Sequence, residues 1–222
     1  MSEVCGSVIV AAGAAMRMRG ADKLFSVVAG RPLLAHTVAA FESCQPIDRI
    51  VLVISEANLE RGRALVAEEG FSKVVAVCTG GRRRQDSVKY GLTALGPCDW
   101  VAVHDGARPL VRPGLISLAL EAARETGAAV PILPLADTIK EIDETGAILR
   151  TLDRSRLVAV QTPQVVRYDL LVRAHDEVTN DVTDDAAMVE SLGHSVATFE
   201  GSSRNVKITT AEDLMLAEAY LH

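Results

Sequence analysis

The chain has 222 residues, 49% of them hydrophobic and 4% aromatic, with a formal net charge of −6 at pH 7. That allows one sizeable core. It disfavours broad electrostatic binding to nucleic acid or anionic membrane, and few aromatics argue against a base-stacking surface. The four cysteines are scattered without a C-x-x-C pair, and no stretch approaches the roughly 18 apolar residues of a membrane span, so a soluble, cytoplasmic protein with reduced thiols is expected.

In chain order, strands alternate with helices. Ser7–Ala12 is a continuous apolar run, and Leu33–Cys44 has helical period with Pro32 just ahead of it. Arg49–Ser55 reads as a second strand, Asn58–Glu69 as a helix stopped by Gly70, and Lys73–Cys78 as a third strand. Trp100–Asp105 is a fourth strand, Pro113–Thr126 a helix and Ala128–Leu133 a fifth strand. Apolar runs joined by helical crossovers predict an α/β domain with an open, twisted, mostly parallel sheet covered by helices on both faces.

The rhythm changes after Pro134. Asp137–Arg154 alternates polar and apolar residues around Thr145-Gly146, which predicts a protruding β-hairpin arm. Such an arm either exchanges contacts with a second subunit or packs on its own domain. Two helices follow, over Val166–Val178 and Thr183–Gly193, then a strand over His194–Gly201. A closing helix has Thr210 as its N-cap, with Asp213 three residues on.

In an open α/β sheet, ligands bind beyond the carboxyl ends of the strands. The loop after the first strand, in "VIVAAGAAMRMRGADKLF", has small residues through which backbone N–H groups can approach a ligand, then Arg17, Arg19 and Lys23. Those cations are either solvated surface or the partners of an anion such as a phosphate chain. The loop is neither G-x-G-x-x-G nor a P-loop, which disfavours a dehydrogenase. "TGGRRRQDS" repeats the pattern with two glycines and Arg82, Arg83 and Arg84. Three arginines at a helix start oppose the helix dipole, so at least one should meet an anion, from a ligand or from acids elsewhere in the chain. "VHDGARP" ends a buried strand in Asp105, whose carboxylate needs a partner: a metal, a ribose hydroxyl or a cation such as Arg108. "TNDVTDDAA" lacks the Gly and final Glu of a calcium loop and reads as capping by Thr183 and Asp184. Ser87 has no evident His partner, so Ser/His/Asp hydrolysis is unsupported.

Taken in order, "AAG…RM", "GG…RQDSV", "VHDGARP", "ADTIK", "TLDR", "QTPQ", "VTDDA" and "NVKIT…EDL" resemble the 2-C-methyl-D-erythritol 4-phosphate cytidylyltransferase family from Val8 to Leu216. The resemblance implies one Rossmann-like nucleotidyltransferase domain over residues 1–222 with an arm at about 136–157. It implies transfer of CMP from CTP to the polyol phosphate with release of pyrophosphate, using Mg2+. A homodimer formed through the arm is expected.

By that resemblance Arg17, Lys23, Arg154 and Lys207 carry catalysis. Ala11, Ala12, Gly13, Ala14, Ala15, Gly80, Gly81, Arg84, Ser87, Asp105 and Gly106 bind the nucleotide. Asp105, Arg108, Asp137, Thr138, Arg154, Thr162 and Lys207 bind the second substrate, with Asp105 also the candidate metal ligand. Ala15 stands where relatives usually have glycine, and Arg82 where they often have a smaller or acidic residue. A transferase acting on ribitol 5-phosphate, and a nucleotide-binding regulator without turnover, are the alternatives. Retention of Arg17, Lys23, Arg154 and Lys207 together argues against the second.

Overall fold

A computed structural model of the chain describes residues 3–13 and 23–221. The first apolar run becomes β1 (Cys5–Ala11), and a short ribbon of β2 (Val27–Val28) and β3 (Arg31–Pro32) leads into α1 (Leu33–Glu42), with Pro32 at its N-cap. Then come β4 (Arg49–Ile54) and α2 (Leu59–Glu69), which Gly70 ends in the left-handed conformation. They are followed by β5 (Val74–Thr79), α3 (Arg84–Leu95) and β6 (Trp100–Asp105). Pro113 opens α4 (Pro113–Thr126), which leads to β7 (Ala128–Pro134). A hairpin of β8 (Lys140–Ile142) and β9 (Ile148–Thr151) precedes β10 (Val158–Val160) and β11 (Gln164–Arg167). The chain then forms α5 (Tyr168–Glu177), α6 (Asp185–Ser191), β12 (Ala197–Glu200) and α7 (Ala211–Leu221).

The strands are apolar throughout because two cores share their residues. In β4, Ile50, Leu52 and Ile54 enter one core with Leu33 and Phe41 of α1 and Ile116 of α4. Val51 and Val53 enter the other with Val88 and Leu92 of α3 and Leu171 of α5. This period-two division is what a sheet covered on both faces imposes. The main sheet runs β10-β7-β11-β6-β1-β4-β5, with β12 also paired to β7. Pairings β6–β1, β1–β4, β4–β5 and β7–β12 are parallel.

The structure departs from the sequence expectation at β11. Val166 and Arg167, expected in a helix, instead close a strand antiparallel to both β6 and β7. Val166 is claimed by pairing with Val101 and Ala128, and α5 starts only at Tyr168. Both β10 and β11 run antiparallel along β7. Between the Val160–Ile132 and Val165–Ala129 pairs this strand advances five residues and β7 three. The surplus makes a break at 161–163 beside the end of β6. Thr210 and Asp213 form the expected reciprocal cap. Asp213 N–H donates to the Thr210 hydroxyl (3.2 Å), and the Asp213 carboxylate accepts from Thr210 N–H (2.9 Å). The β8–β9 pair forms a two-stranded sheet of its own. Its turn is held by Asp143, whose carboxylate accepts from the Thr145 and Ala147 N–H groups.

Gly91 on α3 faces β1 and β4. A Cβ placed there would lie 2.4 Å from Val8 Cγ1 and 2.9 Å from Val53 Cγ2, both on strands that cannot yield. Gly91→Val is expected to cost roughly 1–3 kcal/mol through overpacking, read as a lower midpoint in denaturant unfolding.

Candidate active site

The carboxyl ends of β1, β5 and β6 meet at one edge of the sheet. Gly80 N–H donates to Ile54 O (2.8 Å), and Gly106 N–H to Val10 O (2.8 Å), so both loops turn back over β1 and β4. Gly80 lies so close to Ala12 that an added Cβ would sit 2.2 Å from the Ala12 Cβ. Only a glycine brings this backbone against the opening loop. Ser87 fastens the turn. Its hydroxyl accepts from Gly81 N–H (3.0 Å) and donates to Arg83 O (3.2 Å). The structure thus brings Ala11, Ala12, Gly13, Gly80, Gly81, Ser87, Asp105 and Gly106 to one edge. Ala14, Ala15, Arg17 and Arg19 lie outside the described residues.

Asp105 is the centre of charge. It is 8% exposed. Lys207 Nζ lies 2.9 Å from Oδ2, Arg108 Nε 3.4 Å from Oδ2 and Arg84 Nε 3.6 Å from Oδ1. Burial alone would raise the carboxyl pKa, but Lys207, Arg84 and Arg108 together hold it well below the usual carboxylate range. The segment after β12 forms the wall. Arg108 Nη1 donates to Asn205 O (2.7 Å), Asn205 Nδ2 to Thr162 O (2.7 Å), and Ile208 N–H to Ala107 O (2.8 Å). Lys23 Nζ donates to Ile208 O (2.7 Å), which places it one residue beyond Lys207.

Two of the three adjacent arginines meet the chain's own acids. Arg83 pairs with Asp86 (2.6 Å) and Asp181 (2.8 Å). Arg84 Nη1 lies 2.7 Å from Asp185 Oδ2, close enough for an ion pair but not aligned as a hydrogen bond. Asp185 is 1% exposed. Its loop is held by Gln164, whose Oε1 accepts from the Asp185 and Ala186 N–H groups (3.0 Å each) and whose Nε2 donates to Asp184 (2.8 Å). Asp184 caps α6 as expected, through Ala187 N–H (3.0 Å). Thus, among the described residues, Arg84, Arg108 and Lys207 gather around Asp105, with Asp185 and Asp184 also beside Arg84 and with Lys23 nearby. Several cations converge at one strand edge of a chain of net −6.

The hairpin residues stand apart. Asp137, Thr138 and Arg154 are exposed, and Arg154 Nη1 donates to Ala136 O within its own segment. Among the described residues, no hydrogen bond or ion pair joins these three to the Asp105 cluster. There the hairpin strands pair only with each other, so no strand pairing within one chain folds them over the cleft.

His104, Gln164, Asp185 and Asn205 escaped the sequence reading. The signal available was polarity inside apolar runs, as with His in "WVAVHD". His104 is fully buried, with its ring centroid 5.0 Å from that of Phe41. Desolvation chiefly, with the nearby Arg108 and Arg84 charges, pushes its pKa down to about 3 against the raising effect of Asp105 and the Arg108 carbonyl.

A family model described as "IspD: 2-C-methyl-D-erythritol 4-phosphate cytidylyltransferase" matches residues 5–222. The chain is 50% identical over 221 residues to the 2-C-methyl-D-erythritol 4-phosphate cytidylyltransferase of Dehalococcoides mccartyi (strain CBDB1), covering 100% of this chain and 97% of that one. It is 41% identical over 219 residues to the protein of that name from Bacillus cytotoxicus, covering 97% and 96%. The crystal structure of the Thermus thermophilus protein of that name superposes with a TM-score of 0.81 at 36% identity, covering 99% of each chain. A 4-diphosphocytidyl-2C-methyl-D-erythritol synthase from Anaerococcus prevotii superposes at 0.87 with 28% identity, covering 99% and 98%.

The pH dependence of folding follows from these charges. His104 is neutral when folded, and its unfolded pKa is near 6.5, so the unfolded chain takes up a proton that the fold refuses. Its contribution is complete above about pH 6.5 and declines as pH falls towards 3, with a limiting slope of about 1.4 kcal/mol per pH unit. Asp105, depressed in the fold, adds a loss only below about pH 4. Calorimetric melting from pH 8 to 4 is expected to show Tm flat and then falling below about 6.5. A constant Tm over that range contradicts this account.

Proposed function

The chain belongs to the 2-C-methyl-D-erythritol 4-phosphate cytidylyltransferase family, and we propose that the cleft at the ends of β1, β5 and β6 is where its reaction takes place. The enzyme transfers CMP from CTP to 2-C-methyl-D-erythritol 4-phosphate in isoprenoid precursor biosynthesis, releasing pyrophosphate. The observation that carries the assignment of the cleft is the convergence of Arg84, Arg108 and Lys207 on Asp105 at the carboxyl ends of the strands, in a chain whose overall charge is negative.

The reaction drives a phosphate dianion against the α-phosphorus of a triphosphate. The attacking oxygen forms the new P–O bond as the bond to pyrophosphate breaks, and the electron pair leaves on pyrophosphate. The second pKa of a phosphate monoester is near 6, so the nucleophile is already ionised and needs no general base. The work of the protein is to position the reactants and to offset repulsion. In our reading Arg17 and Lys23 hold the triphosphate, and Lys23, whose ammonium bonds a backbone carbonyl, can swing to the charge growing on the α-phosphate. Lys207, Arg108 and Thr162 face the polyol phosphate. The backbone of Ala11–Gly13, Gly80, Gly81 and Gly106, with Arg84, Ser87 and Asp105, holds the nucleotide.

The described residues contain no group of three or more His, Cys, Asp or Glu able to hold a metal. Asp105 is the carboxylate that would stand beside Mg2+ brought in with the triphosphate. When bound, Mg2+ would neutralise charge on the pyrophosphate leaving group.

We place Asp137, Thr138 and Arg154 in a neighbouring subunit's cleft. The hairpin and the following strand expose Ile142, Ile148, Leu149, Val158 and Val160, an apolar surface suited to a second copy. A cytoplasmic location fits the four free cysteines, and no described helix is long and apolar enough to cross a membrane.

Pyrophosphate release with CTP and Mg2+ is expected with methylerythritol phosphate and to be far weaker with ribitol 5-phosphate. Turnover confined to ribitol 5-phosphate would falsify the substrate assignment. Lys23→Ala is expected to lower turnover about a hundredfold or more with CTP binding still measurable. In sedimentation velocity the wild type is expected to run as a dimer and the Ile148→Glu/Leu149→Glu variant as a monomer. A monomeric wild type rules out the arm interface.

A further inference from the structure

We propose that His104 is a positioning residue for this reaction. Its neutral Nδ1 orients the Thr162 hydroxyl, which in turn fixes the backbone of Asp105 beneath the polyol-phosphate side of the cleft. The inference rests on the reaction assigned above.

His104 Nε2 lies 3.3 Å from Arg108 O. A carbonyl only accepts, so Nε2 carries the proton. His104 is completely buried against Phe41, where a charged imidazolium is disfavoured, so Nδ1 is bare. Thr162 Oγ1 lies 3.0 Å from that Nδ1 and therefore donates to it. With its proton committed, the same oxygen accepts the Asp105 N–H at 3.1 Å. The relay runs Asp105 N–H, Thr162 hydroxyl, His104 imidazole, Arg108 carbonyl, and each link has one direction. It joins the end of β6 to the break at 161–163 and closes on the turn that carries Arg108.

The relay sets geometry that packing alone would not. Asp105 and Arg108 form the ion pair facing the cleft, and both backbone ends of that turn are held through His104. A side chain that merely filled space under α1 would need neither ring nitrogen. Here both are engaged, and the chain of contacts ends on the residue that gathers Lys207 and Arg84.

Three substitutions separate the roles of the two nitrogens. His104→Asn keeps an acceptor where Nδ1 lies. His104→Gln reaches the Nε2 position but leaves the Thr162 hydroxyl without an acceptor. His104→Leu loses both. The Gln and Leu variants are expected to lower kcat/KM for the polyol phosphate about tenfold to a hundredfold, with the KM for CTP changed less than about threefold. His104→Asn should restore most of the loss. Equal loss in Asn and Gln, rescue by Gln instead of Asn, or equal movement of both KM values overturns the proposal. Imidazole 15N shifts of the wild-type protein are a readout independent of turnover and of whether the variants fold. They should show a protonated Nε2 and a bare, hydrogen-bonded Nδ1 at neutral pH, and the opposite tautomer overturns the relay. Absence of wild-type turnover with methylerythritol phosphate would instead count against the assigned reaction, leaving the tautomer measurement to decide the relay.

Discussion

A nearly buried carboxylate needs counter-charge, and in this protein that need organises the site. Asp105 ends β6 at the edge of the cleft, and three cations from separate parts of the chain converge on it: Arg84 at the start of α3, Arg108 in the following turn and Lys207 in the segment after β12. None of these contacts is both short and fully buried, and Lys207, the nearest, is half exposed. Their joint effect outweighs burial, which alone would raise the carboxyl pKa, so the carboxylate stays ionised. Cations assembled around an internal acid are already oriented before any anion arrives, and preorganised charge of this kind leaves less reorganisation to be made.

The second acid makes the arrangement costly to disturb. Asp185 is almost completely buried, with Arg84 as its ion-pair partner, so Arg84 serves two carboxylates at once. Buried pairs of this kind contribute little net stability over an apolar replacement. Losing one partner leaves an uncompensated charge and costs about 3–5 kcal/mol. The Arg84 network therefore specifies one arrangement of the α6 loop against the end of β6. Gln164 reinforces it by accepting two backbone N–H groups at the start of α6. The site is stiff where it holds the acids.

The hairpin obeys a different logic. It pairs with itself and exposes apolar side chains, and its Arg154 bonds within its own segment. Among the described residues, the cleft gathers its charge without the hairpin, whose apolar side chains stay exposed.

Much of this was legible in the residues themselves. Apolar runs separated by helical periods read as an α/β sheet because both faces of each strand are buried, and the Thr210–Asp213 cap read correctly because capping is local. The motifs at strand ends identified Asp105 and Gly80, since parallel strands send their carboxyl ends to the same edge, whereas Lys207 was marked only by the family resemblance. What remained hidden depended on which distant groups meet. Arg83 pairs with Asp86, three residues on, but also with Asp181, and Arg84 pairs with Asp185, both far along the chain, and no spacing rule links those last two to α3. The antiparallel β11 was masked by its continuity with a helix, because register against β6 and β7, rather than propensity, made Val166 a strand residue. His104 looked like one more member of a buried strand. Period-two patterning tells which face a residue takes, but only the folded chain shows that Thr162 stands opposite it, so composition and local pattern determined the sheet, and long-range pairing decided the chemistry of its edge.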